Sequence, residues 1–523
     1  MSFELLPYSH QCLFECLLDE SQYTSANSIS TRRHFNYFQQ YFEELKAKTI
    51  LIENEYVDRD YLHDHVEYYA RCFWDYPRRT RRLHFFSDEI SIDDFERELL
   101  TTPATGVCSR LQADYLGFIV VRPLPLTIIG RTCLRTYSTE DGRRNFPSLR
   151  IYPVNLYGIE LEVKSLAYQE QDQVVAACAT SALWTCLQGT GKLFQHPISA
   201  PVEITRWASD QMPDNPLIVG VRTFPNTGLT ATQMAQAIRR VELEPHIIRA
   251  GTKYDLHSAA YAYLRGRIPS ILSVQLTNYK DEKQIAAGAH AVAITGYSLR
   301  DDAEYEFSQD GFRLRAAKID KLYVHDDQTG PFCRLEWSQL PTPEMVGNEQ
   351  QLHALKNSWS DTVYQHPDFL LLPLYHKIRI PFSLIHDEML ILNALLNAWR
   401  EAYGYVEIPE WDIYLTTVND YKSSVRQEYA GLGVDFRSSL YTRMPRFLWR
   451  VTLRAQGVIQ MDFLFDATGL AQNSLLIHSF STECEGREIL SIMAMPEYEK
   501  ERLELPVQVR AVIESFGSEG VSL

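Results

Sequence analysis

The chain has no excess of basic residues. Against 51 Lys and Arg it carries 67 Asp and Glu, a formal net charge of −16 over 523 residues. A polyanion such as a nucleic acid is therefore not an expected partner. The chain also lacks an apolar run of the roughly eighteen residues that a membrane helix needs. Even Leu116-Gly-Phe-Ile-Val-Val is cut by Arg122 and Pro123. The segment Met1 to His10 has neither a basic region nor an apolar core, so no secretory signal is expected. No Pro-, Gly- or Ser-rich tract is long enough for a free linker, and no repeat is visible. The nine cysteines are odd in number, scattered, and without a Cys-x-x-Cys pair. A disulfide scaffold is thereby disfavoured, and reduced thiols in a soluble cytoplasmic protein are the expectation.

What is present is enough for large cores: 45% hydrophobic and 12% aromatic residues. At this length two or three domains are expected. The patterning suggests an α+β fold in three regions: 1–150, 151–340 and 341–523. In the first, Thr31 to Ala47 and Asp58 to Phe73 read as helices, and Thr49 to Glu53 as a strand. Tyr115 to Pro123 and Ile129 to Tyr137 read as an antiparallel pair. His63, His65 and Cys72 invite a metal reading, but the two histidines are two apart and do not share a helix face. Core packing is the better account, and no metal or cofactor is expected. The run Arg78-Arg-Thr-Arg-Arg82 reads as a solvated, paired helix face.

The stretch that organises the centre is Gln169 to Gly189. A polar, glutamine-rich loop gives way to a helix at Cys178. Ala179, Ala182, Leu183, Cys186 and Leu187 recur at helical spacing, and Gly189 is a natural stop. A thiol in a first helical turn meets unpaired N–H groups and a dipole that favour thiolate. Gln173 and Gln171, five and seven residues upstream, are candidate oxyanion donors. Before this helix, Leu156 to Val163 alternates as a strand. After it come helices at Thr227 to Arg240, capped by Thr230 or Thr232, and at His257 to Leu264. The strand Ser270 to Leu276 leads to Gly288-Ala-His-Ala-Val-Ala-Ile-Thr-Gly-Tyr297, which puts His290 at the head of a β run. Lys318 to Pro331 reads as a second strand ending in a polar turn that contains Asp326 and Asp327. Cys, His and Asp in that order are what thiol-based acyl transfer needs. Asp326 is the orienter of choice. Asp327, one residue on, is expected to face the other way along a strand. Asn357, in Lys356-Asn-Ser-Trp-Ser360, follows a segment of helical appearance and reads as a helix end.

These three motifs together resemble the papain-like cysteine peptidase superfamily. The likeness is greatest to its bacterial branch of double-glycine leader peptidases and spans about residues 160–335. The resemblance implies a helical half and an antiparallel sheet half with a cleft between them. It also implies Cys178 as nucleophile, His290 as base, Asp326 as orienter and an oxyanion glutamine. This chain has Ala179 where the family usually has Gly or Trp, and Gln171 and Gln173 straddle the commonest spacing. The implied function is cleavage of a peptide or isopeptide bond in a peptide or protein substrate. The flanking regions would scaffold or bind a partner. Two other readings fit the same residues: a transglutaminase-like acyl transferase, and a papain-like fold used for binding without turnover. In the C-terminal region Asp387 to Tyr403 reads as a helix. Leu448 to Ala455, Val458 to Phe465 and Asn473 to His478 read as antiparallel strands.

Overall fold

The computed structural model describes residues 3–18, 32–101, 109–125, 127–172, 174–212, 228–280, 283–300, 311–346, 349–360, 362–404 and 408–517. Its architecture is mixed α+β with several antiparallel sheets. The chain divides into two compact units that interleave along the sequence. One is Met1–Gly251, Arg267–Ser298 and Asp320–Pro373; the other is Thr252–Gly266, Leu299–Ile319 and Leu374–Leu523. The three consecutive regions read from the sequence do not follow these divisions. Residues that return to a distant partner count by contact, not by position in the chain.

In the first unit a five-stranded antiparallel meander runs Phe3–Pro7, Thr49–Tyr56, Thr80–Phe86, Tyr115–Val121, Ile129–Leu134. Every residue of Tyr115–Val121 is buried, so this strand is covered on both faces. The helix Arg33–Glu44 buries Tyr37, Phe38, Tyr41 and Phe42, and the Phe42 ring stacks on Phe85 at 3.9 Å. The helix read over Asp58 to Phe73 is shorter, Arg59–Glu67, followed by a 3-10 turn Tyr69–Arg71. The arginine run is not a helix face. It opens the strand Thr80–Phe86, where Arg82 is buried against Glu53 and the Asn155 carbonyl.

His84 sits on that strand, fully buried, with Nδ1 on the Tyr115 hydroxyl and Nε2 on Glu53. Burial pushes its pKa down to about 4, with Glu53 pulling the other way and Arg82 adding to the fall. The unfolded chain therefore takes up the proton first. His84's contribution to stability is whole above about pH 6.5 and declines as pH drops toward 4. The expected loss between pH 6.5 and 5 is about 2 kcal/mol. Urea midpoints at pH 7 and pH 5 should differ less in His84→Gln than in wild type; equal differences would contradict this account.

The strand read as Leu156 to Val163 is instead a hairpin, Arg150–Leu156 with Ile159–Ser165. Tyr157 (φ 50°) and Gly158 (φ 96°) form its two-residue loop. Positive φ at both positions matches the right-handed twist of a tight hairpin. One face of the pair is buried at alternate residues.

The sheet that carries the histidine closes on itself. Its order is Ser270–Lys280, Lys283–Leu299, Ile319–Asp326, Gly330–Val346, Glu349–Asn357 and Val363–Tyr375, and the last strand pairs back onto the first. Ile271 lies opposite Leu371 across the closing seam. Closure leaves no free edge along the paired region. Leu243–Arg249 adds to Val363–Tyr375 outside the ring. Glu349–Asn357 is thus a strand, correcting the helical reading of Asn348 to Leu355.

The second unit is built on a five-stranded sheet: Arg313–Leu314, Glu410–Thr417, Phe447–Ala455, Val458–Asp466, Leu476–Ser481. The first pair is parallel and the others antiparallel. Lys253–Arg265, read from sequence as part of the central region, belongs here. Its Tyr261 hydroxyl donates to Asp412 at 2.8 Å, and Arg265 lies 3.8 Å from the Tyr414 ring centroid. The long helix Phe382–Tyr403 ends at Gly404, whose φ of 74° is the left-handed cap that glycine adopts freely. No helix of the described residues is long and apolar enough to cross a membrane.

Candidate functional site

Cys178 is the first residue of the helix Cys178–Phe194, as the apolar spacing indicated. The helix does not stop at Gly189. It runs five residues further, to Phe194, because Gly189 and Gly191 let Pro269 and Ile198 close on it. A Cβ at these positions would stand 2.8 Å from Pro269 Cγ and 2.7 Å from Ile198 Cγ1. The left-handed cap falls instead on Gln195, φ 60°. At the other end the N-cap is Ala177, which offers no side-chain oxygen to the first-turn N–H groups. That leaves the amide dipoles beside the thiol available to charge developing there.

The loop before the cysteine is folded by Asp172. Its Oδ1 accepts from the Val174 and Val175 amides at 2.7 and 3.3 Å, and its own amide donates to the Ala176 carbonyl at 2.7 Å. The Tyr69 hydroxyl donates to its other oxygen. Val175 and Ala176 are packed into a cluster with Tyr61, Tyr69, Leu124 and Val202. The backbone that delivers Cys178 is thereby held on both its polar and apolar sides. Sequence reading overlooked Asp172; an acidic residue just before a helix that lacks a capping oxygen was the available signal. Of the two glutamines, Gln173 lies outside the described residues. Gln171 is half-buried and borders a pocket of about 340 Å³ together with Arg32, Glu170 and Asp327.

His290 stands in the strand Lys283–Leu299, opposite Val274, and is 4% exposed. Its Nε2 faces Asp326 Oδ1 at 3.1 Å. The Cys178 thiol lies near enough to the same imidazole to help raise its pKa. With Nε2 committed to the carboxylate, Nδ1 is the nitrogen left for sulfur. Cys178, His290 and Asp326, separated by more than a hundred residues of chain at the widest, are brought together in one place.

Asp326 ends its strand at the turn and is fully partnered. Oδ1 also accepts from the Gln328 amide at 3.0 Å, and Oδ2 accepts from Asn357 Nδ2 at 2.9 Å and from the Thr329 hydroxyl at 3.4 Å. Asn357 is therefore not an incidental helix end. It closes a strand of the ring, donates to the orienting carboxylate, and accepts from the Trp359 amide through Oδ1 at 3.0 Å. The misreading had a physical origin. Polar residues on a strand inside a closed sheet break the alternation that marks strands in a sequence.

Asp327 does not face away from the site. The strand ends at Asp326, so Asp327 does not alternate away. Its Oδ1 lies 3.8 Å from His290 Nε2. It is 4% exposed, and neither carboxylate oxygen has a hydrogen-bond partner. His325 lies within the strand between the Tyr168 and Phe332 rings.

The electrostatics follow from these contacts. Burial works against a charged imidazole, but the hydrogen bond and charge of Asp326, the charge of Asp327 and the Cys178 contact outweigh it. His290 is held well above its ordinary value. For Asp326 burial raises the pKa, and the His290 contact with the Gln328 and Asn357 donors brings it below the usual carboxylate range. Asp327 is raised by burial and by the neighbouring Asp326 charge, against the pull of His290. Two adjacent carboxylates thus differ because Asp326 has the His290, Gln328 and Asn357 donors and Asp327 lacks them.

The histidines considered for a metal do not gather: His65 Nε2 pairs with the Tyr76 carbonyl, and Cys72 donates to Tyr68. Among the described residues the three-member cluster of possible ligands is His290, Asp326 and Asp327. The chain matches no protein-family model and no curated protein sequence.

Proposed function

We propose that the chain is a thiol-dependent hydrolase of papain-like type that cleaves a peptide or isopeptide bond. The observation that carries the reading is the relay from Cys178 at a helix start, through His290, to a fully partnered Asp326. His290 takes the Cys178 proton at Nδ1, and Asp326 holds the ring and balances the resulting imidazolium. The thiolate attacks the carbonyl carbon of the substrate. The oxyanion is met by the Cys178 backbone N–H and a side-chain amide, Gln171 or Gln173, one such donor being worth about 3 kcal/mol of barrier. Imidazolium Nδ1–H then protonates the leaving amine, and the same nitrogen deprotonates the water that releases the acyl group.

The test is pH-resolved alkylation by iodoacetamide, with labelling of each cysteine followed by mass spectrometry. Cys178 should react fastest at mildly acidic pH, and His290→Ala should remove that advantage. The buried Cys133, Cys186 and Cys333 serve as slow internal references. Cys178 labelling no faster than theirs, and indifferent to the substitution, would overturn the reading.

A further inference from the structure

Asp327 is not needed to orient His290, since Asp326 already does so, yet it is buried beside the ring with both oxygens unclaimed. A buried carboxylate without a donor is costly unless something else meets it. The geometry around it has the dimensions of a metal site. In a tetrahedral zinc site, with ligand distances near 2.0–2.1 Å, donor atoms stand roughly 3.3 Å apart. Here His290 Nε2 is 3.1 Å from Asp326 Oδ1 and 3.8 Å from Asp327 Oδ1, and all three donor atoms fall within 4.8 Å of one another. Shifts of a few tenths of an ångström for Nε2, and a rotation of one carboxylate, would bring them into one coordination sphere. A pocket of about 340 Å³ is bordered by Asp327 and Gln328.

We propose that His290, Asp326 and Asp327 bind a divalent cation of the zinc type, and that the bound ion holds the thiol centre inactive. The donors are one imidazole nitrogen and two carboxylate oxygens, with a fourth position open to water, a set that suits Zn²⁺ or Co²⁺. The ion takes the Nε2 lone pair and the Nε2 proton leaves to solvent. The ring then keeps a single proton, on Nδ1. A metal-bound neutral imidazole gives up that proton far less readily than an imidazolium, so the leaving amine is not protonated and turnover stops. Cys178 lies on the Nδ1 side and is not a ligand. The site itself stands on geometry; only its consequence rests on the thiol reading.

Metal-free protein is titrated with Zn²⁺ by calorimetry and with Co²⁺ by visible absorption, using wild type, Asp327→Asn and Cys178→Ser. One equivalent of ion should bind to wild type and to Cys178→Ser alike, and at least tenfold more weakly to Asp327→Asn. Bound Co²⁺ should give a tetrahedral visible spectrum without a thiolate charge-transfer band. Asp327→Glu, which keeps the charge, separates ligation from folding by restoring part of the affinity. Loss of binding in Cys178→Ser, a thiolate band, or equal affinity in Asp327→Asn would each overturn the proposal. Iodoacetamide labelling of the metal-free protein distinguishes the two ideas. Fast Cys178 with no ion bound removes only the metal site, and inert Cys178 with the ion bound as described removes only the thiol reading.

Discussion

Asp326→Asn should lower the rate of any Cys178-dependent turnover by about 10³- to 10⁴-fold, the scale on which loss of a triad carboxylate acts. Asp326 accepts four hydrogen bonds: His290 Nε2 and the Gln328 amide at Oδ1, and the Asn357 amide and Thr329 hydroxyl at Oδ2. An asparagine has one acceptor oxygen and one NH₂. If the oxygen stays toward Asn357, the NH₂ faces His290 and the Gln328 N–H. It then donates to Nε2 and forces the ring proton onto Nδ1, so the nitrogen facing sulfur no longer has a lone pair. If the oxygen turns to His290, two amide NH₂ groups meet at Asn357. Either arrangement leaves a buried donor against a donor, costing about 1–3 kcal/mol of stability as well. Asn357→Leu should give a smaller loss of rate, because it removes one donor and leaves the His290 tautomer intact. The check is the second-order rate of Cys178 alkylation at neutral pH, with circular dichroism to confirm the fold. A rate for Asp326→Asn within threefold of wild type would sink the assignment of Asp326.

Arg450→Met should be the most destabilising single change in the second unit, by about 3–5 kcal/mol. Arg450 is 0% exposed, and its guanidinium is satisfied on every side. Nε donates to Asp462 Oδ2 at 2.9 Å, Nη1 to Tyr414 and Ser424 at 2.9 Å each, and Nη2 to Glu428 at 2.7 Å and Asp462 at 2.8 Å. Asp462 is itself 0% exposed, and the Tyr429 hydroxyl donates to it. Methionine fills the volume but leaves a carboxylate in the core with no counter-charge. The double change Arg450→Met with Asp462→Leu should recover a large part of the loss, since replacing a buried pair by apolar groups is often neutral. Hydrogen exchange across Phe447–Asp466 reads this locally. Protection unchanged in the single variant would contradict the account, as would a double variant no more stable than the single.

Much of the local structure was legible because local physics decides it. The Thr230 cap and its partner Gln233 form a capping box at the start of Ala231–Arg240. The start of the Cys178 helix followed from the recurrence of small and apolar residues, and the strands Phe447–Ala455 and Val458–Asp466 were read to within one residue of their ends. That Cys178, His290 and Asp326 come together was anticipated too, because few residue types would serve a thiol-based site.

What the sequence did not reveal depends on residues that meet from far away. Gly189 looks like a helix stop until Pro269 packs on it. Asn357 looks like a helix end until a closed sheet carries it to Asp326, and Asp327 alternates outward only while the strand lasts. Composition, periodicity and motif spacing determined which segments become helices and strands and which chemical groups the chain has to use. Tertiary structure decided which carboxylate is partnered and which stands bare. That depends on where a strand ends and which distant donors arrive, and neither is encoded in the spacing of neighbouring residues.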